Sequence, residues 1–315
     1  MNVAAPPAAT LVVGGGFLGS HVARGLARRG VQTTVLTRTA PDARASARLG
    51  AIRLMVGDAS DLDLVREATI GVDCVVWCAG GLLPAESNQR PIDDVLAQLK
   101  PLLVMMDHLA HLEATRIVLI SSGGTVYGNP SVLPVPEGYL PRPLTSHGVT
   151  RLAAEHYLDL YQQVYGVPAV ALRCGNVYGE GQRSDRSQGV VAATLARIQR
   201  GLPIPMFGDG STVRDYIHID DVVDVVIQLL ARQDLPSVVN VGSGVGTSLR
   251  ELLALIELVT DRPIEIEPHP ARPGEVVAVV LDIGLLKSLL RFEPTLLREG
   301  LLRTWGSISG AEHAR

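Results

Sequence analysis

The chain has 315 residues, 47% of them hydrophobic and 19% charged, with a formal net charge of -4. That is apolar material for one large α/β core, or one core with a smaller lobe, and it excludes a disordered or fibrous chain. The charges are mixed in sign with no long basic stripe, which argues against a nucleic-acid-binding domain while leaving local arginines for small anions.

Along the chain, β-rich apolar runs alternate with helical patterns. Strands are predicted over 10–13, 31–36, 52–56, 74–78, 117–121 and 167–173, with helices over 21–29, 62–68 and 152–165 between them. This alternation means a parallel, doubly wound, Rossmann-type sheet whose crossover helices cover both faces. After Asn176 the pattern loosens into Gly- and Pro-rich loops with helices over 190–200, 221–231 and 249–259. We read these as a smaller lobe packed against the carboxyl edge of the sheet, too sparse for a large core of its own. The expected division is 1–175 for the Rossmann domain and 176–315 mainly for the lobe, with some elements returning to the sheet.

The apolar start of the chain lacks a basic leader and breaks into glycines after Val13, so a strand is expected there rather than an export signal. The apolar stretch over 95–109 is interrupted by Lys100 and Pro101 and falls short of the roughly 20 residues a membrane span needs. Cys74, Cys78 and Cys174 lie in strand-like runs with no His or Cys cluster to complete a metal set. They read as reduced core thiols of a cytoplasmic protein, with neither metal nor membrane expected.

The first strand runs into Gly14-Gly15-Gly16-Phe17-Leu18-Gly19, a G-x-G-x-x-G that opens a helix. Gly14 permits the tight turn and Gly16 the approach of backbone N–H groups to a pyrophosphate. Gly19 lets the helix pack closely, and the N–H groups of Phe17 and Leu18 belong to the anion-binding end of that helix. At the end of the second strand, where an acidic residue would hold the adenosine ribose, stand Thr37 and Arg38. Arg38 suits a 2′-phosphate or is simply solvated, so NAD and NADP both stay open. Asp58, after the third strand, suits either the adenine amino group or a turn.

Further motifs are Ser121-Ser122-Gly123-Gly124-Thr125-Val126-Tyr127-Gly128, Leu172-Arg173-Cys174-Gly175-Asn176-Val177-Tyr178-Gly179, Arg214-Asp215-Tyr216-Ile217-His218 and Arg272-Pro273-Gly274-Glu275. With the glycine turn and Gly57-Asp58, the chain resembles the extended short-chain dehydrogenase/reductase family over nearly its whole length. The likeness is to the nucleotide-sugar epimerases and dehydratases of the UDP-glucose 4-epimerase type. That family's G-x-x-G-x-x-G appears here shortened, or with Val13 at its first glycine, a variation of the loop. The resemblance implies a Ser or Thr, a Tyr and a Lys at the catalytic centre, with the Tyr moving the sugar hydroxyl proton and the Lys gripping the ribose. Here those positions read Gly123, His147 and Arg151.

Imidazole is mostly neutral at pH 7, so His147 is already a base, whereas a phenol must be pulled down about three pKa units. Arg151 lies one turn on and its fixed charge lowers the imidazole pKa further; it is also a candidate for the ribose. Against this, histidine is roughly 2 Å shorter than tyrosine, and misplacement by an ångström costs about a hundredfold in rate. Ser122 and Thr125 are the candidate hydroxyl partners. The resemblance also implies that Asn176, Arg214 and Arg272 hold the diphosphate of a nucleotide sugar, which guanidinium forks suit without a metal. Asp215, Asp220 and Asp221 are assigned to capping and to organising the strand end. The loop over 179–182 and the stretch through Arg186 are expected to cover the sugar.

The leading expectation is an NAD(P)-dependent UDP-hexose 4-epimerase, with His147, Arg151, Ser122 and Thr125 at the catalytic centre. The alternatives are a silent protein that keeps both ligand pockets, and a nucleotide-sugar dehydratase or reductase. The resemblance further implies a homodimer paired through helices over 94–109 and 152–165.

Overall fold

A computed structural model describes residues 7–40, 52–112, 115–184, 189–272 and 274–310. The six predicted strands are present as β1 (Ala9–Val13), β2 (Gln32–Thr37), β3 (Arg53–Val56), β4 (Cys74–Trp77), β5 (Arg116–Ser122) and β6 (Ala169–Cys174). Shorter strands follow: β7 (Asn176–Tyr178), β8 (Ile204–Phe207), β9 (Val213–His218), β10 (Val238–Val241), β11 (Gly246–Ser248) and β12 (Ile266–His269). The Rossmann-type sheet expected from the alternation is seen, with seven parallel strands in the order β10-β6-β5-β4-β1-β2-β3. The seventh, β10, comes from a late segment that the sequence pattern did not mark as a strand.

Strands β1 and β4 sit at the centre. Leu11, Val12 and Val13 are buried, as are all four residues of β4, so both strands read as continuous apolar runs rather than alternating ones. That is the signature of parallel strands covered on both faces. The chain lays β2 and β3 to one side of β1, then crosses to place β4, β5 and β6 on the other. Strand order therefore reverses between β1 and β4, the place where open α/β sheets take their ligands.

The helix Pro91–Leu109 runs without a break through Lys100 and Pro101, although both interrupt the apolar stretch in sequence. A proline there removes one ladder bond and costs about 3 kcal/mol. Leu102, Met105, Met106 and Leu109 are fully buried beyond it, each stabilising by about 1.5–3 kcal/mol, so burial wins. The helix Ser146–Tyr165 begins where the Thr145 side chain accepts from the Gly148 N–H, and it ends at Gly166, whose φ of 72° is the left-handed cap glycine adopts readily.

The chain forms two compact units. The first comprises Met1–Ser122, Thr145–Arg173 and Val223–Val239; the second comprises Gly123–Leu144, Cys174–Val222 and Asn240–Arg315. The second carries a hydrophobic cluster of its own, including Leu195, Ile198, Leu252, Ile256 and Leu301. Leu301 comes from a helix outside the predicted set, Leu297–Ser309. That helix approaches closely at Gly300, where a Cβ would strike the Tyr178 hydroxyl. No helix among the described residues is long and apolar enough to cross a membrane, and none of the three cysteines forms a disulfide among the described residues.

Behind β5 and β6 lies a buried ion pair. Arg173 donates to Glu155 through Nε at 3.0 Å and Nη2 at 2.7 Å, and the Ser121 hydroxyl donates to the other carboxylate oxygen. Removing one partner leaves a buried charge uncompensated. Glu155→Ala should therefore lower unfolding free energy by about 3–5 kcal/mol, measured by urea denaturation, and a loss below 1 kcal/mol would show that water replaces the carboxylate.

Candidate active site

The glycine turn has the geometry a pyrophosphate needs. Gly14 has φ +102°, and a Cβ there would lie 2.6 Å from the Ala79 backbone nitrogen, so the turn after β1 and the segment after β4 touch backbone to backbone. A Cβ on Gly19 would collide with the Gly14 carbonyl, while one on Gly16 would meet nothing within 4 Å. Gly16 thus opens onto space at the N-terminus of the helix Phe17–Arg28, whose first turn, with Phe17 and Leu18, carries no acidic residue. These residues fit a dinucleotide: free helical N–H groups, a favourable dipole and no side chain in the way. At the neighbouring strand ends Arg38 is exposed, and Asp58 Oδ1 accepts from the Ser60 N–H at 2.8 Å in a turn. That bond holds the Asp58 carboxyl below its ordinary range, with Arg38 adding to the effect.

His147 lies in the first turn of Ser146–Tyr165 and is almost wholly buried. Its Nδ1 is 2.9 Å from the Leu82 carbonyl, and its backbone N–H donates to Ser87 Oγ at 3.1 Å. A carbonyl can only accept, so Nδ1 carries the proton and Nε2 is the basic nitrogen of the neutral ring. Burial first and Arg151 second bring the imidazole pKa down to about 4, with the Leu82 hydrogen bond and Asp94 working the other way. Arg151 reaches from the next turn, donating Nη1 to the Ile120 carbonyl at 2.6 Å. A Cβ on Gly80 would stand 2.8 Å from Arg151 Nη2, so the glycine makes room for the guanidinium.

The structure brings His147 and Arg151 together with two residues that the sequence reading missed. Asp94 and Gln98 are buried on the helix Pro91–Leu109 and bond the segment that carries the Leu82 carbonyl. Their signal was present: two polar side chains four residues apart on an otherwise apolar helix face. Of the candidate hydroxyls, Ser122 ends β5 half-exposed, and Thr125 Oγ1 is shielded from solvent without a hydrogen bond.

In the second unit, Asn176 opens β7 opposite Tyr216 of β9. Arg214, also on β9, donates to the Val213 carbonyl at 2.9 Å and stands 3.6 Å from Glu275. Glu275 closes a turn with Arg272, which brings the Arg272 segment up to Arg214. The Arg272 guanidinium lies 3.7 Å over the Phe207 ring, with His269 stacked on the same ring. In the loop over 179–182, Glu180 Oε2 is 3.1 Å from His218 Nε2, and that contact pulls the Glu180 carboxyl down to about 2, helped by Arg303. Arg186, expected to extend this cover, lies outside the described residues, as does Pro273. Asp215 is a hub: it accepts from the Ser243 N–H and hydroxyl, both at 2.7 Å, and from the Gly244 and Leu281 N–H groups, both at 3.1 Å. Asp221 holds Thr295, and Asp220 pairs with Arg303.

Residues 10–242 match the model of the NAD dependent epimerase/dehydratase family. The chain belongs to that family. Among its members, a putative UDP-glucose 4-epimerase of Methanocaldococcus jannaschii is 30% identical over 304 residues, covering 93% of this chain and 96% of that one. A dTDP-4-dehydro-6-deoxy-D-allose reductase of a Streptomyces species is 30% identical over 92% of both chains. The crystal structure of a Thermus thermophilus UDP-glucose 4-epimerase in complex with NAD superposes with a TM-score of 0.88 at 31% identity, over 96% of this chain and 99% of that one. The glycine turn of this family member thus belongs to a fold that binds NAD.

The buried imidazole also makes a stability prediction. Unfolded, His147 takes a proton near its ordinary 6.5; folded, it resists until about 4. Between those values the unfolded chain binds more protons, so stability is full above about pH 6.5 and falls on acidification, by on the order of 3 kcal/mol from this residue. His147→Gln should flatten that part of the pH–stability curve, measured by denaturant titration from pH 7 to 4. An unchanged slope would mean that the ring is protonated in place.

Proposed function

We propose that this member of the family is a UDP-hexose 4-epimerase that uses NAD, with His147 carrying the proton. The state of His147 supports the reading: a neutral ring, its Nδ1–H engaged by the Leu82 carbonyl and its basic Nε2 lone pair defined, on the helix that also carries Arg151. NAD, when bound, supplies first a hydride acceptor and then a hydride donor for the sugar carbon. The glycine turn over 14–19 holds its pyrophosphate.

His147 Nε2 takes the proton of the sugar 4-hydroxyl as the C4–H bond gives up its hydride and the C–O bond becomes a ketone. It returns the proton to the same oxygen when hydride comes back to the opposite face, so nothing is consumed. Burial and Arg151 both destabilise the protonated ring, which favours rapid return of the proton. Asn176, Arg214 and Arg272 bind the diphosphate, and Ser122, which is not shielded as Thr125 Oγ1 is, offers its hydroxyl to the sugar.

Two observations favour a second reading, a protein that binds both ligands without turnover: Gly123 offers no side-chain hydroxyl, and Arg151 Nη1 is engaged by the Ile120 carbonyl. A dehydratase or reductase reading draws on Arg38, a partner for the 2′-phosphate of NADP, and on the Streptomyces reductase.

The test is chromatography of UDP-hexoses after incubation with the full chain and NAD or NADP. We expect interconversion of one epimer pair with no net cofactor change, and a loss of at least about a hundredfold in His147→Ala with UDP affinity retained. Net oxidation of reduced cofactor would mean a reductase, and binding without turnover a silent protein.

The assembly we propose is a cytoplasmic homodimer, in keeping with cysteines that form no disulfide among the described residues. The helices Pro91–Leu109 and Ser146–Tyr165 pack on each other and leave Ile92, Val95, Leu96, Val149, Leu160 and Val164 exposed. Covering those side chains accounts for their exposure in one chain. Light scattering at micromolar concentration should return twice the chain mass, and a monomer would overturn the pairing.

A further inference from the structure

We propose that Asp94 is a positioning residue for His147: its buried carboxylate ties the Leu82 peptide and the turn around His147 into one frame that fixes which imidazole nitrogen is basic. The proposal rests on the reading of His147 as the proton carrier.

The circuit is closed on the page. Asp94 is fully buried, and its Oδ1 accepts from the Leu82 N–H at 3.0 Å. Its Oδ2 accepts from the Ser146 hydroxyl at 2.9 Å, and the Thr150 hydroxyl, 3.1 Å from Oδ2 and 3.0 Å from the His147 carbonyl, is shared between the two acceptors. Those two residues bracket His147 in its helix. The other end of Leu82 closes the loop, since its carbonyl takes His147 Nδ1 at 2.9 Å. One turn on from Asp94, Gln98 accepts from the Gly81 N–H, so the whole segment before Leu82 is strapped to the same helix. A Cβ on Gly81 would lie 2.6 Å from Asp94 Oδ1 and 3.1 Å from Gln98 Oε1, so only glycine lets the strap close.

A carboxylate is what this position requires. Three donors converge on one side chain, and an ionised carboxyl accepts at both oxygens without presenting any hydrogen of its own. It therefore obliges the Ser146 hydroxyl to point inward, competes with the His147 carbonyl for the Thr150 hydroxyl, and holds the Leu82 peptide with its carbonyl toward the ring. An Asn of the same size presents an NH2 group at one of the two positions and must leave a donor facing a donor, or turn a hydroxyl around. The charged groups facing His147 are Arg151 from its own helix and Asp94 from Pro91–Leu109, while the short helix Pro84–Ser87 brings the Ser87 hydroxyl. Asp94 is thus the negative charge whose effect on the ring opposes that of Arg151.

The experiment follows 15N-labelled histidine in the full chain by NMR, with the His147 signals assigned by their loss in His147→Gln, beside steady-state kinetics of the same proteins. In the wild type we expect the Nδ1–H tautomer across pH 5–8 (on the order of the range histidine normally titrates). In Asp94→Asn we expect a mixed tautomer, titration at lower pH than in the wild type, and kcat lower by about tenfold to a hundredfold with KM little changed. A merely structural carboxylate would lower the melting temperature and leave the tautomer and the kcat against KM split alone; that result overturns the proposal. Thr150→Val, which removes one donor and keeps the carboxylate, covers the case in which Asp94→Asn does not fold. It should broaden the His147 signals and lower kcat about threefold to tenfold, and unchanged signals and kcat overturn the proposal equally. If His147→Gln retains full activity while Asp94→Asn still alters the tautomer, the proton-carrier reading fails and the positioning stands.

Discussion

A parallel sheet returns its chain to the same edge after every strand, and the site depends on that constraint. The carboxyl ends of β1, β2, β3, β4 and β5 all open at one edge of the first unit, so Gly14, Arg38, Asp58, Ala79 and Ser122 share that edge although they are scattered over more than 100 residues of sequence. The reversal of strand order falls between β1 and β4, where open α/β sheets take their ligands. The contact of Gly14 with the Ala79 backbone sets how close the turns after these two strands come.

Within that frame, buried carboxylates organise the interior. Glu155, Asp94 and Asp215 each collect several donors: an arginine and a serine, a peptide N–H and two hydroxyls, three peptide N–H groups and a hydroxyl. A buried charge costs several kcal/mol unless its lone pairs are filled, and each of these is met by several donors. The consequence is directional. Apolar packing tolerates small rotations, whereas a carboxylate with filled lone pairs fixes the orientation of every group that donates to it.

The imidazole illustrates how burial and charge divide the work. Desolvation and Arg151 keep His147 neutral, the Leu82 carbonyl selects which nitrogen is basic, and Asp94 moderates the effect of Arg151. A phenol in its place would need a cation to become a base at neutral pH; an imidazole needs none. Arg151 is correspondingly released from that duty, and part of its guanidinium serves to bind the Ile120 carbonyl.

The sequence by itself determined the class of fold and the glycine turn after its first strand. Six of the seven sheet strands are legible because parallel strands buried on both faces leave continuous apolar runs, and the glycine turn is legible because only glycine fits where backbone meets backbone. Arg214 and Arg272 of the second unit were singled out by the family resemblance and not by local pattern. Tertiary structure alone decided the rest. The strand Val238–Val241 and the helix Leu297–Ser309 carry weak periodicity and owe their places to partners far away in sequence. The helix Pro91–Leu109 continues through a proline because the burial beyond it outweighs one lost hydrogen bond. The tautomer of His147 was beyond any reading of its own helix, since it is set by a carbonyl 65 residues earlier, held there by a carboxylate from a third segment. Spacing along a chain reports which side chains share a face, but a hydrogen-bond circuit among three segments exists only once folding has brought them within 3 Å or so of one another.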